Sequence, residues 1–159
     1  MQLSEYSVSR GLRVGALGGV VGSVVLGVFA GLGSVAMGQE VFYVTVAKKL
    51  GFGEASIAGG WALHFLVGLV AGATFVVVTS RVKILTLSTV RRGLWVGALA
   101  GVAVWVLVYV PVTGILVPTD LTDATFAVGS FILHIVYGVV TAVVSVSLLR
   151  RSAKTSIRV

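Results

Sequence analysis

Ile57-Ala-Gly-Gly-Trp-Ala-Leu-His-Phe-Leu-Val-Gly-Leu-Val-Ala-Gly-Ala-Thr-Phe-Val-Val-Val78 runs without a charged residue and holds one imidazole, His64, in its middle. A helix crosses the hydrocarbon of a bilayer with about 20 mostly apolar residues, so this stretch is long enough to span. Within it, Gly60, His64, Gly68 and Gly72 recur every four residues and share one helix face. An ionisable ring on a stripe of small residues, at membrane depth, marks an inward-facing position and a functional hypothesis. Thr125–Leu149 repeats the theme with Ser130, His134, Gly138 and Ala142. His64 and His134 are the only histidines of the chain.

Working outward, Val14–Met37 and Leu94–Val117 are equally apolar, which makes four spans in 159 residues. Mean hydropathy is +1.09 and only 11% of residues are charged, against roughly a quarter in soluble domains. The expected fold is all-α: a polytopic membrane four-helix bundle forming one domain over residues 1–159. The residues before the first span are polar and show no convincing cleavage site, so that span reads as retained. Cysteine is absent, which removes disulfides and thiolate chemistry.

The net charge of +7 is topological information, and nucleic acid is not an expected partner. Ten of the twelve cations lie before span one, between spans two and three, or after span four; Lys48 and Lys49 alone lie in the loop after span one. The positive-inside rule then places both termini in the cytoplasm of a multi-pass plasma-membrane protein. The segment Val41–Leu50, with its two lysines at the C-terminal end, reads as a short interfacial helix on the outer leaflet or over the bundle.

Arg10-Gly-Leu-Arg-Val-Gly-Ala-Leu-Gly-Gly19 parallels Arg92-Gly-Leu-Trp-Val-Gly-Ala-Leu-Ala-Gly101. With His-x-x-x-Gly in spans two and four, this reads as two tandem hairpins, 1–80 and 81–159, in parallel repeat, with the histidines at equivalent depth. The 21 glycines are the expected packing residues, chiefly Gly15, Gly19, Gly22, Gly68, Gly72, Gly97, Gly101 and Gly138. Lipid is as apolar as leucine, so helices in a bilayer cohere by close backbone approach. Span one carries two glycine faces, available for packing within the bundle or for docking another chain. Pro111 predicts a kink in span three, with Tyr109, Thr113 and Tyr137 in a polar cluster nearby and the carbonyl near Leu107 in need of a donor.

Several roles are open to the two imidazoles. The plainest is a structural hydrogen bond to a neighbouring helix. A second is axial ligation of a b-type haem by His64 and His134. A third is a metal or proton-relay role, which the lack of intramembrane carboxylates makes dependent on a second chain. No metal ligand set and no catalytic residue is expected, because no nucleotide, hydrolase or zinc motif occurs. The expected function is a non-catalytic subunit or scaffold of a larger membrane complex, with lipid, other membrane subunits or a second copy as partners. Haem-based electron transfer and a small transporter or channel are the alternatives.

Trp61-Ala-Leu-His-Phe-Leu-Val-Gly68, the Arg-Gly entry to a third span ending near Pro111 and Gly114, and Ser130-Phe-Ile-Leu-His-Ile-Val-Tyr-Gly138 resemble a domain-of-unknown-function family of small four-span membrane proteins, frequent in archaea, including halophiles and ammonia oxidisers. His134, Tyr137 and Gly138 match its His-x-x-Tyr-Gly element, and His64 with Gly68 match the earlier His-x-x-x-Gly. Many relatives are rich in Met where this chain is rich in Val and Gly. The resemblance implies the four-span fold and the histidine pair; it implies no activity.

Overall fold

The computed structural model describes residues 7–155, with side chains through Arg150. The tail cations Arg151, Lys154 and Arg158 lie outside that range of side chains. The described residues are all-α, and four helical rods are long and apolar enough to cross a membrane. They are α1 (Val8–Ala36), α3 (Ser56–Arg81), the composite rod of α4 (Val90–Val104), a π-helical segment (Trp105–Tyr109) and α5 (Val110–Leu116), and α7 (Ala124–Thr155). Two short helices, α2 (Phe42–Lys49) and α6 (Thr119–Thr122), lie in the connections at one end. The helix expected after span one is α2; α6 was not foreseen.

Polar residues set the rod ends. Ser7 and Thr89 accept the backbone N–H groups of Arg10 and Arg92. Asp123 Oδ1 accepts from Thr125 and Phe126 at 2.8 and 3.2 Å, filling the free donors at the start of α7. Gly38 (φ +62°) ends α1 in the left-handed conformation, with Gln39 N–H returning to Ser34 O. Gly51 (φ +86°) ends α2 in the same way, with Phe52 N–H on Ala47 O. At the other end, basic side chains bond carbonyls: Arg150 to Ser88 O at 3.1 Å and Arg92 to Ile84 O at 2.8 Å.

α1 is packed on two sides. A methyl group at Gly15 or Gly19 would overlap the backbone of Gly72 and Gly68 in α3. On its other side, Gly18 lies against Thr141 and Ser145 of α7, and Gly22 against Thr141 and Tyr137. Both glycine faces are therefore filled from within the chain between Gly15 and Gly22, while Gly31 and Gly33 farther along meet nothing within 4 Å. α4 meets α7 by the same device, with Gly97 and Gly101 against the backbones of Gly138 and His134. The rods thus pack in the order α3, α1, α7, α4, and Leu87, Val96 and Val146, joined by Phe75 and Leu85, close the end that bears the termini.

Gly97 and Gly101 contact Gly138 and His134 as Gly15 and Gly19 contact Gly72 and Gly68. When the two Arg-Gly-Leu segments are matched, His134 takes the packing position of Gly68, four residues along the helix from His64. The two likenesses that point to a repeat therefore differ by four residues of packing register.

Pro111 follows a wide turn instead of a simple kink. Val110 N–H bonds Trp105 O, five residues back, and Thr113 Oγ1 donates to Tyr109 O at 2.6 Å. The threonine expected as a donor thus serves Tyr109 O, the carbonyl one turn back that a helical threonine commonly bonds, and not Leu107 O.

Substitution of Gly19 or Gly101 by Val is expected to cost about 1–3 kcal/mol or more, since backbone and not a flexible side chain must yield. Gly31→Val, where a Cβ meets nothing within 4 Å, serves as the control. Reversible unfolding in mixed micelles measures the difference; equal losses at all three positions would contradict this packing.

Candidate functional site

α1 and α7 are held together by Gly18 and Gly22. Beyond Gly22, toward α2, no small residue draws them into backbone contact, and a chamber of about 460 Å³ opens among α1, α2, α3, the third rod and α7. Its polar wall is made of Ser23, Tyr43, His64, Tyr109, His134 and Tyr137. The two imidazoles, far apart in sequence, both line this space.

Each imidazole is held by a backbone carbonyl. His64 Nε2 lies 2.8 Å from Ser23 O, and His134 Nδ1 lies 2.7 Å from Ser130 O, one turn back in its own helix. A carbonyl only accepts, so each of these nitrogens carries the proton. In the neutral rings, His64 Nδ1 and His134 Nε2 then keep their lone pairs. Aromatic rings hold the imidazoles in place. Tyr43 stacks on His64 at 4.7 Å and 26°, and Trp61 meets its edge at 5.9 Å. Tyr109 packs on His134 at 5.2 Å, between Phe42 at 5.0 Å and Trp105 at 6.0 Å. Trp105 Nε1 donates to Ser130 Oγ at 3.0 Å, which supports the same turn of α7.

Helix α2 therefore joins the two halves: Tyr43 reaches His64 of α3, and Phe42 reaches Tyr109 of the third rod. It lies over the bundle, with Tyr43, Val44, Val46 and Ala47 buried and its backbone seated on Gly60. Across its outer side, Glu40 pairs with Lys48 and accepts from Thr45 at 3.1 Å.

Of the expected polar cluster, Tyr109 and Thr113 are together beside His134. Pro111 faces outward, and Tyr137 turns to α3, where its hydroxyl donates to Gly68 O at 2.6 Å. Sequence reasoning missed Ser23 and Tyr43. Ser23 continues the stripe of Gly15 and Gly19, but it holds His64 by its carbonyl, which no side-chain pattern encodes.

Five buried hydroxyls have no hydrogen-bond partner among the described residues: Ser23 Oγ lies on Gly68, Thr141 Oγ1 and Ser145 Oγ lie at the α1–α7 contact, and Tyr43 OH and Tyr109 OH belong to rings that line the chamber. Buried polar groups are normally paired, so the two tyrosine hydroxyls beside the cavity are candidate contacts for a bound molecule. Axial ligation of a haem by both rings would fall to His64 Nδ1 and His134 Nε2, because His64 Nε2 and His134 Nδ1 are bound to carbonyls, and it would have to be made beside the Tyr43 ring stacked on His64. No three His, Cys, Asp or Glu side chains come together among the described residues.

The Lys48 hydrogen bond holds the Glu40 carboxyl below its usual pKa. The pair's contribution to α2 is thus present above the ordinary carboxylate range and is lost as pH falls through the lowered folded value. The pair is exposed, so the effect is under about 1 kcal/mol. The protection factor of the α2 amides, which divides out the intrinsic pH dependence of exchange, is expected to fall on that acid side, and Glu40→Gln to show the lower protection at every pH. A pH-independent protection factor in the parent chain would contradict the assignment.

No curated protein matches the chain, and no solved structure matches it. The family model that matches covers residues 9–156, close to the whole sequence. With four apolar rods and a ring-lined chamber between them, the chain belongs to DUF6789, a family of unknown function.

Proposed function

We propose that this protein is a non-catalytic binding protein of the cell membrane that holds one small, largely apolar molecule in its histidine chamber. The observation that carries the reading is one cavity whose wall holds two imidazoles, each with one nitrogen left over, and the unpartnered hydroxyls of Tyr43 and Tyr109. Its volume falls within the range of about 300–1,000 Å³ typical of small-molecule sites. The lysine and arginine asymmetry supports cytoplasmic termini and, with them, an outward-facing α2 and chamber. No charged side chain lines the chamber, which weighs against an ion pathway.

Native mass spectrometry of the full chain, released from mild detergent, tests the reading. A bound molecule of one per chain is expected. It should be missing from Gly129→Phe, because Gly129 borders the chamber and a Cβ there meets nothing within 4 Å. A bare chain that is unchanged by this substitution would remove the binding reading. A Soret band that vanishes in His134→Ala would favour the haem alternative.

A second reading, as a subunit of a larger membrane complex, is favoured by the third rod. It is the least covered of the four, and Trp95 and Leu107 are 72% and 73% exposed. In the same spectra, a complex larger than one chain is expected under this reading, lost on replacing Trp95 and Leu99 by Ala; a single chain throughout overturns it.

A further inference from the structure

The polar atoms of the chamber restrict the kind of molecule it can hold. Its wall carries no formal charge: the polar side chains are hydroxyls and imidazoles. A charged headgroup placed there would lose its water and find no counter-ion, at a cost no arrangement of these groups would offset. Tyr43 and Tyr109 can each donate or accept, whereas His64 Nδ1 and His134 Nε2 can only accept. A ligand that satisfies both kinds of atom must itself donate at least one hydrogen bond, and a hydroxyl does so without charge.

The rest of the wall is hydrocarbon and opens sideways. Phe29 on α1 and Ile132 on α7 border the chamber and are 54% and 53% exposed. Beside them, Gly33 and Gly129 have open space where a Cβ would stand. A gap thus runs between α1 and α7 on the half of the bundle under α2, at a depth where lipid chains lie. An apolar tail can leave through it without crossing a polar surface, while α2 closes the end of the chamber with Phe42 and Tyr43.

We infer that the ligand is a neutral lipid with a hydroxyl-bearing head, inserted sideways from the adjoining leaflet so that its head meets Tyr43, His64, Tyr109 and His134 and its chain passes between Phe29 and Ile132. This deepens the binding reading above and depends on it. Two sources share that chemistry: a hydroquinone with an apolar tail, and a glycerol lipid with free hydroxyls.

The full chain in detergent micelles, carrying Trp95→Phe so that Trp61 and Trp105 near the chamber report, is titrated with three probes. They are a short-chain alkyl hydroquinone, dioctanoylglycerol and dioctanoyl phosphatidic acid. Saturable binding of one neutral probe is expected, and the probe that saturates identifies the source. Tyr43→Phe and Tyr109→Phe should each bind it about five- to tenfold more weakly, the loss of one hydrogen bond. Both variants are expected to fold, since neither hydroxyl bonds anything in the chain. Equal or tighter binding of phosphatidic acid overturns the neutral-head inference and leaves the chamber reading intact. Parent-like affinity in both Phe variants overturns recognition through the hydroxyls. No saturation by any probe, together with a bare chain in native mass spectra, overturns the chamber reading itself.

Discussion

Hydrocarbon gives helices no hydrophobic reason to associate, so this fold depends on how closely backbones can approach. Gly15 and Gly19 set α1 against Gly72 and Gly68, and Gly97 and Gly101 set α4 against Gly138 and His134. α1 then uses its remaining glycine face, Gly18 and Gly22, to join the two pairs through α7. One helix packed on two sides makes a four-rod assembly from two hairpins. It also explains why α1 is the most covered rod and the third rod the least.

The chamber follows from where that close contact stops. After Gly22 the larger Leu26 on α1 and Leu133 and Phe126 on α7 line the space, and the small residues beyond them, Gly33 and Gly129, meet nothing within 4 Å where a Cβ would stand. The space between the rods is filled in part by aromatic rings, several brought by α2. Tyr137 ties α7 to α3 at the floor of the space, and Phe42 and Tyr43 tie the two halves at its roof. The imidazoles sit between floor and roof, each anchored by one nitrogen. Their other nitrogens and the hydroxyls of Tyr43 and Tyr109 are left to define a small neutral polar patch in an apolar wall.

His64 bonds a carbonyl of a neighbouring helix, the plain structural role expected, whereas His134 bonds one of its own helix, and each bond satisfies one nitrogen only. The structural and binding roles are therefore compatible. The bond to Ser23 O fixes the orientation of His64, and Ser130 O fixes that of His134; orientation is what a binding group needs before it can be selective.

Much of this was legible in the chain alone. Apolar length determined the four spans, and four-residue spacing determined which faces of spans two and four, with His64 and His134, turn inward. The glycine stripes marked the contact residues, and Val41–Leu50 announced α2. Periodicity specifies the face of a helix but not its axial register, so the one-turn slip between the hairpins had no signal in the sequence. Nor had the partners: Ser23 O, Ser130 O and Gly68 O are backbone atoms, identical at every position, and only the packing decides which of them meets a ring. The same holds for Tyr43, whose place against His64 exists only because α2 folds back onto Gly60. Composition settled the solvent and the secondary structure; tertiary contact settled the chamber, because a cavity is defined by where several helices fail to touch.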